Sequence, residues 1–163
     1  MKKQIMILAL IAICILLGAI DNWEMKYYVD EFGDNTDTKY LSYMVSGTFS
    51  NDVTINSQAL YHLTYSMGRF GLDIFEYNKY KVTSYSDVFV PISFKKDDGT
   101  KKVIKRGLFI SDSGCLLTKE SGEYVKNNLI QGQLRVSFRN DGEKYLFTIK
   151  HESFEELLNN CTD

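Results

Sequence analysis

Short segments in which apolar and polar residues alternate recur along most of this chain. The clearest is Ala59–Ser66, in which Ala59, Tyr61, Leu63 and Tyr65 would share one face. Strict alternation predicts a strand with one buried and one wet face. Alternation and flanking turn residues predict further strands over Trp23–Asp30, Tyr40–Phe49, Leu72–Tyr77, Val88–Phe94, Lys101–Ile110, Cys115–Thr118, Gln133–Arg139 and Lys144–Lys150.

Turn and helix signals separate these strands. Asp98-Gly99 and Asn140-Asp141-Gly142 are typical of hairpin turns. Pro91 within its segment suggests an edge strand, since proline cannot donate to a ladder. Ser121–Ile130 has a helical period, with Tyr124, Val125, Leu129 and Ile130 facing inward, and a second short helix is predicted after Ser153.

The predicted fold is therefore all-β, a two-layer β-sandwich or small barrel with two short helices in the C-terminal third. A chain of 163 residues has room for one domain, which we place at residues 21–163. Eleven Tyr and ten Phe residues support this fold class, because aromatic rings suit a pleated, half-buried surface.

The first twenty residues have the order of an export signal. Lys2 and Lys3 precede an apolar run, Ile5–Ala19, that ends at Asp21. Three outcomes are open: cleavage near Ala19 or Ile20, retention as an N-terminal anchor, and lipidation at Cys14. Each predicts an exported protein, in the periplasm, on the cell surface or secreted, that contacts a membrane only through this segment if it is uncleaved.

The overall charge argues against nucleic acid as a partner. Without Lys2 and Lys3, 17 of the 19 basic residues remain against 21 acidic residues, a formal charge of −4. A domain with that balance does not attract nucleic acid through its overall field.

Two cysteines remain after the N-terminal segment. In an oxidising compartment, we predict that Cys115 and Cys161 form a disulfide, which would tie a turn to the C-terminal tail. The alternative is a pair of unbonded, partly buried thiols, because spacing along the chain does not show whether the two Cα atoms come within bonding distance.

Two charged clusters are candidate binding sites. Asp30, Glu31, Asp34 and Asp37 could offer oxygens to Ca²⁺, but their spacing does not match the helix-loop-helix calcium pattern. We therefore expect a solvated loop without a metal, in which Gly33 serves a turn with positive φ.

The other cluster flanks the predicted Asp98-Gly99 turn, and its members are Lys95, Lys96, Lys101, Lys102, Lys105 and Arg106. Such a hairpin could contact anionic lipid or polysaccharide. The interpretation we favour is that these side chains protect an exposed edge from strand-to-strand aggregation.

The sequence contains no motif for catalysis or cofactor binding. His62 and His151, the only histidines, have no neighbouring ligand at metal-site spacing. No nucleophile elbow, phosphate loop or dinucleotide fingerprint is present. We therefore expect no catalytic residues, no metal and no cofactor, and interpret His62 as a structural or surface residue in mid-strand.

Two parts of the sequence resemble known exported proteins. The opening, Trp23–Asn51, is similar to small exported bacterial proteins of unknown function. The second half remotely resembles the invasion-associated locus B family in Ser113-Gly114-Cys115, Leu129–Gly132, Leu134-Arg135-Val136, Phe147–Phe154 and Leu157. That resemblance implies a periplasmic or surface β-sandwich that ends in a strand and a Phe-containing helix. It implies no enzymatic role and no functional residue.

The expected function is that of an exported accessory protein of the bacterial envelope or surface. It would be non-enzymatic and would bind an unidentified envelope or extracellular protein or glycan. One alternative is an inhibitor-type or structural partner of another exported protein, joined through an exposed sheet edge. Another is a divergent hydrolase whose site the sequence does not reveal.

Overall fold

A computed structural model of the protein describes residues 21–77, 79–80, 88–111 and 114–161. The predicted export segment, residues 1–20, and two residues of a predicted turn, Asp112 and Ser113, lie outside the described residues. The strands of the described chain are β1 (Trp23–Val29), β2 (Asn35–Ser50), β3 (Ser57–Ser66), β4 (Arg69–Glu76), β5 (Lys79–Tyr80), β6 (Val88–Lys96), β7 (Lys101–Ser111), β8 (Gly114–Leu117), β9 (Leu134–Asn140) and β10 (Glu143–Ile149). The helices are α1 (Lys119–Leu129) and α2 (Phe154–Cys161).

Eight of the described strands close into an antiparallel barrel. Their order is β2-β10-β9-β6-β7-β8-β4-β3, and β3 pairs back with β2. Outside this circuit, β1 pairs with the first part of β2, and the two-residue β5 pairs with β4. The predicted all-β fold with two short helices late in the chain is confirmed, in its barrel form.

The alternation of the sequence places one face of each strand inside the barrel. Among the described strands, the largest fully buried side chains include those of six aromatic residues, namely Tyr43, Tyr61, Tyr145, Phe49, Phe70 and Phe94. Small barrels are filled in this way by inward-facing side chains. The interior is a packed core, so the surfaces open to a partner lie on the outside of the barrel.

Both helices pack close to Phe70. In α2, the Phe154 ring lies 6.3 Å from the Phe70 ring and 4.8 Å from the Trp23 ring, measured between centroids. In α1, a Cβ added at Gly122 would lie 3.6 Å from the Phe70 ring. Val125 and Leu129 of α1 are buried as predicted, but the prediction for Ile130 is wrong, because the helix ends before it and its side chain is exposed. Among the described residues, no helix is long and apolar enough to cross a bilayer.

The edge position predicted from Pro91 is wrong. Strand β6 pairs with β7 on one side and with β9 on the other. Pro91 is tolerated because the β6–β7 register shifts between Val90 and Ile92, and the β9 ladder begins only at Ile92. A proline at an irregularity breaks no ladder hydrogen bond.

Both predicted hairpin turns are confirmed, and the acidic loop is shorter than expected. Asn140 pairs with Glu143 across the second turn, and Gly99 of the first turn has φ +84°. The predicted loop over residues 30–37 is only partly correct, because β2 begins at Asn35. Gly33 has φ +88°, the positive value expected for it.

Candidate functional site

The barrel wall has a seam along one side of β2. Strand β1 pairs with β2 as far as Tyr43, whereas β10 pairs with β2 only from Thr48 to Ser50. The intervening segment of β2, residues 44–47, is not paired with either strand on that side. A groove of about 540 Å³ lies over this seam, between Ser46–Thr48 of β2, Leu146–Lys150 and the side chains of Lys95 and Arg135. We call it the seam groove.

Gly47 allows β2 and β10 to meet at the bottom of the seam. A Cβ added there would lie 2.7 Å from Cε2 of Tyr61 and 2.8 Å from Cβ of Phe147, and it would collide with the carbonyl oxygen of Leu146. Real Cβ atoms do not approach backbone this closely. Only glycine fits at this crossing.

Three cationic side chains lie side by side at the edge of the seam groove. Lys101 of β7 pairs directly with Lys95 of β6, and Lys95 pairs directly with Arg135 of β9. Directly opposite residues point to the same face, with Cβ atoms about 4.5–5.5 Å apart. Arg135 is opposite Thr148 of β10, which continues the line to the groove. We call Lys101, Lys95 and Arg135 the cation row.

The cation row is not neutralised locally. All three side chains are exposed. Within the part of the chain that the structure describes, the salt bridges of 4.0 Å or less involve none of them. Like charges directly opposite one another destabilise a sheet. Adjacent like charges that no nearby carboxylate compensates are typical of a functional site.

The surrounding surface has the same sign of charge. Strands β6, β9 and β10 carry no carboxylate among their described outward-facing residues, which are Phe89, Pro91, Ser93, Lys95, Arg135, Ser137, Arg139, Lys144, Leu146 and Thr148. Arg139 lies directly opposite Lys144, a second like-charged pair. This face is basic although the whole chain has a formal charge of −2.

The acidic side chains in the groove lining have partners of their own. Nζ of Lys150 lies 3.0 Å from Oδ2 of Asp21. Oδ1 of Asp97 accepts a hydrogen bond of 2.8 Å from Nε2 of Gln133. The lining also includes Ser46, Thr48 and Thr148, whose hydroxyls can donate and accept hydrogen bonds. The arrangement suits an anionic ligand that also carries hydroxyl groups.

The edge-protection interpretation does not account for Lys95. Because β6 is paired on both sides, Lys95 lies in the middle of the sheet rather than at an edge. Residues of β7 before Leu108 have no β8 partner, so the interpretation can apply only to lysines of that segment, such as Lys105.

A second polar arrangement lies on the outside of β2, β3 and β4. Nε2 of His62 lies 3.0 Å from Oγ of Ser42, and Nδ1 of His62 lies 3.1 Å from Oδ2 of Asp73. This is the order of contacts in a serine hydrolase triad. The sequence correctly places His62 in the middle of a strand. The contacts that join Ser42, His62 and Asp73 on three strands, which we call the relay, have no local sequence signal.

The surroundings of Ser42 do not suit nucleophilic attack. Its side chain is buried, with 4% of the residue exposed. Leu41, Ser42 and Tyr43 each have a ladder partner on β1 and another on β3. Their amides are therefore within the sheet, whereas an oxyanion hole needs free donors aimed at the reacting carbonyl. The relay therefore has a structural role, in which the two ring nitrogens of His62 provide hydrogen-bond partners for the side chains of Ser42 and Asp73.

The two candidate cysteines do not form a disulfide in the structure. Both are free. Cys115 is buried on the inward face of β8, where burial raises the pKa of its thiol to about 11. Cys161 is half-buried at the end of α2, and burial also raises its pKa while nearby Lys39 lowers it. The predicted disulfide is therefore absent from the structure, which has the alternative, a pair of unbonded thiols.

The acidic segment forms a turn. Oδ1 of Asp30 accepts hydrogen bonds from the amides of Phe32 and Asp34, both at 2.9 Å. Among the described residues, no three His, Cys, Asp or Glu side chains are grouped so that they could hold a metal ion. The carboxylate of Asp30 thus stabilises the loop backbone.

Comparison of the chain with protein-family models, with curated proteins and with solved structures gives no match.

The sequence indicated only part of this site. The hairpin turn at Asp98-Gly99 implies that Lys95 and Lys101 are close, and both belong to the basic cluster predicted around that turn. Arg135 lies 36 residues or so further along the chain from the hairpin, and its position beside Lys95 depends on the non-local pairing of β6 with β9. The seam also depends on pairing between distant strands, β2 and β10.

Proposed function

We propose that this protein is an exported, non-enzymatic accessory protein of the bacterial envelope or surface that binds an anionic partner in the seam groove. The observation that carries the proposal is the cation row, in which Lys101, Lys95 and Arg135 are adjacent, exposed and without an ion pair among the described residues. Export rests on Lys2, Lys3 and the apolar run that follows.

The shape of the molecule supports binding on the outer wall. The barrel interior is filled by aromatic side chains, whereas the seam groove is open and polar. Exposed cations that face one direction attract anions over roughly a Debye length, about 8 Å at physiological salt. The groove can therefore attract an anionic partner to a chain whose net charge is negative.

Binding without catalysis is supported by the same geometry. Among the described residues, no hydrogen bond or ion pair joins the cation row to a catalytic group, and the Ser42–His62–Asp73 arrangement has a buried serine. A fluorophosphonate probe should therefore leave the folded protein unlabelled. Covalent labelling at Ser42, abolished by His62→Ala, would show instead that the protein is a hydrolase.

The proposal that the seam groove binds anions can be tested with model polyanions. Fluorescent dextran sulfate and fluorescent polyglutamate should bind the purified protein, and the affinity should fall as salt increases. Replacing both Lys95 and Arg135 with Ser should lower the affinity by about 2–30-fold, because exposed charge pairs contribute roughly 0.2–1 kcal/mol each.

The matched control is Lys105→Ser. It removes the same charge from an exposed position of β7 that lies outside the cation row. The control should bind like the parent protein. Equal losses in the control and in the single variant Lys95→Ser would contradict a specific role for the row.

Export is tested separately. Protein recovered from an envelope or culture fraction should begin near Asp21 if the signal is cleaved. An intact chain that begins at Met1 and remains in the cytosol would contradict export, whatever the result of the polyanion experiment.

A second candidate function has one observation in its favour. Strand β1 pairs only with β2 among the described strands, and Tyr27, Tyr28 and Val29 at its end are exposed. An extended strand of another exported protein could add to that edge. Lys26→Pro, which removes a backbone donor, should then abolish capture of that protein from envelope extract while polyanion binding is retained.

A further inference from the structure

We infer that the anionic partner of the seam groove is an acidic polysaccharide with a carboxylate on successive sugars. This inference rests on the proposed function, and it names the class of ligand for the same site. It is carried by two features that occur together: a line of cations at strand spacing and hydroxyl side chains at the end of that line.

The spacing of the cation row favours a polymer. Adjacent strands are about 4.7–4.9 Å apart, so Lys101, Lys95 and Arg135 offer charges at a similar interval across three strands. A single small anion would contact only part of such a row. A chain of linked pyranose rings, each with a carboxylate, is long enough to contact all three cations at once. Once one carboxylate of a polymer has bound, the others are held close to the remaining cations at a high effective concentration. Several weak contacts along one polymer therefore bind more tightly together than any one of them alone.

The groove lining favours a carbohydrate over an acidic protein. Ser46, Thr48 and Thr148 offer hydroxyls, and Thr148 is directly opposite Arg135, next to the row. Among the described residues of the lining, the one aromatic side chain is that of Phe147, which is 3% exposed. Protein interfaces are enriched in aromatic anchors that fill a partner's pocket. A groove with hydroxyls and no exposed ring suits a ligand rich in hydroxyl groups.

The position of the cation row also argues against an anionic membrane surface as the partner. The tip of the β6–β7 hairpin carries two exposed carboxylates, Asp97 and Asp98. Anionic lipid repels carboxylates at that point. The cations lie behind the tip, on the wall of the barrel and beside the groove.

The experiment compares polymers on the purified protein. The probes are fluorescent polygalacturonate, fluorescent polyglutamate of matched charge and size, monomeric galacturonate as a competitor, and anionic vesicles of phosphatidylglycerol. We expect polygalacturonate to bind at least tenfold more tightly than polyglutamate, and monomeric galacturonate to compete only at far higher concentration. Vesicle binding as tight as polygalacturonate binding would overturn the inference.

Two sets of variants separate charge from sugar recognition. Lys95→Ala with Arg135→Ala should weaken the binding of both polymers. Thr148→Val, which keeps the shape of the side chain but removes its hydroxyl, and Ser46→Ala should each weaken polygalacturonate binding about twofold or more, since one hydrogen bond contributes about 0.5–1.5 kcal/mol. Both should leave polyglutamate binding unchanged.

The outcomes distinguish the two levels of the proposal. If polyglutamate and polygalacturonate bind equally and the hydroxyl variants change neither affinity, the inference of an acidic polysaccharide is wrong, but the proposal of an anion-binding site is still supported. If neither polymer binds, both fail.

Discussion

The indole nitrogen of Trp23 donates a hydrogen bond of 2.9 Å to the carbonyl oxygen of Lys150. This bond joins the first strand to the segment that leads into α2, 127 residues away. The same ring stacks on Tyr43, with centroids 4.8 Å apart, and contacts Phe154 at the same distance. One buried side chain thus connects β1, β2 and the C-terminal helix.

Trp23→Phe should therefore destabilise the fold. The phenylalanine ring fills less of the site and leaves the Lys150 carbonyl without its donor, and an unsatisfied buried acceptor costs about 1–3 kcal/mol. Urea unfolding followed by circular dichroism would measure the change. The control is Tyr27→Phe, at a position 43% exposed, which should leave the midpoint unchanged. Equal midpoints for the parent and Trp23→Phe would contradict the structural role.

Two glycine-to-alanine changes should have opposite effects. Gly47→Ala places a methyl group against Tyr61 and the Leu146 carbonyl, so we expect a loss of about 1–3 kcal/mol. Gly122→Ala lies within α1 and meets only Phe70, at the ordinary contact distance of 3.6 Å. Because alanine is the better helix former, this variant should gain up to about 1 kcal/mol. Thermal unfolding of both variants tests the expected reversal of sign.

The two thiols should react at different rates. Cys161 is half-buried at the end of a helix, whereas Cys115 is buried in the barrel and its pKa is raised to about 11. The thiolate is the reactive form, so at pH 8 Cys115 should be labelled by iodoacetamide only as the protein unfolds. Peptide mass spectrometry of labelled protein, with Cys161→Ser as the control, measures this. Rapid labelling of Cys115 in the folded protein would contradict its burial.

Stability should fall in alkaline solution. Burial raises the pKa values of Tyr43, Tyr61 and Tyr145 above the ordinary value, which is about 10. Above pH 10 the unfolded chain would release these protons while the folded chain keeps them, so ionisation favours unfolding. The stabilisation is complete below pH 10 and is lost as the pH rises above it. The absorbance of tyrosinate from these three residues should therefore rise only as the protein unfolds. Ionisation of all eleven tyrosines before unfolding would contradict this.

Lys95→Glu should stabilise the protein while weakening polyanion binding. The change replaces repulsion by attraction towards Lys101 and Arg135, and cross-strand charge pairs contribute about 0.2–1 kcal/mol each. Stability and dextran sulfate binding, measured on the same sample, should change in opposite directions. Lys105→Glu is the control for charge alone. A variant that binds like the parent would show that the row has no binding role.

The sequence by itself determined the local elements of this protein. Alternation in Ala59–Ser66 predicted the buried face of β3, because side chains of a strand point alternately to its two sides. Asn140-Asp141-Gly142 predicted a hairpin, because its backbone requires positive φ, and Asp141 and Gly142 have φ of +48° and +79°. These features depend on neighbouring residues, and a pattern of nearby residues is sufficient to predict them.

Only the tertiary structure decided how the elements are joined. The choice of a barrel over a sandwich depends on the pairing of β2 with β3 and with β10, which closes the sheet. The place of Arg135 beside Lys95, and of His62 between Ser42 and Asp73, follows from register between strands. A shift of one residue in register would move each of these side chains to the other face. Register between distant strands is set by the packing of the whole core, so no local pattern could have revealed the cation row or the seam groove.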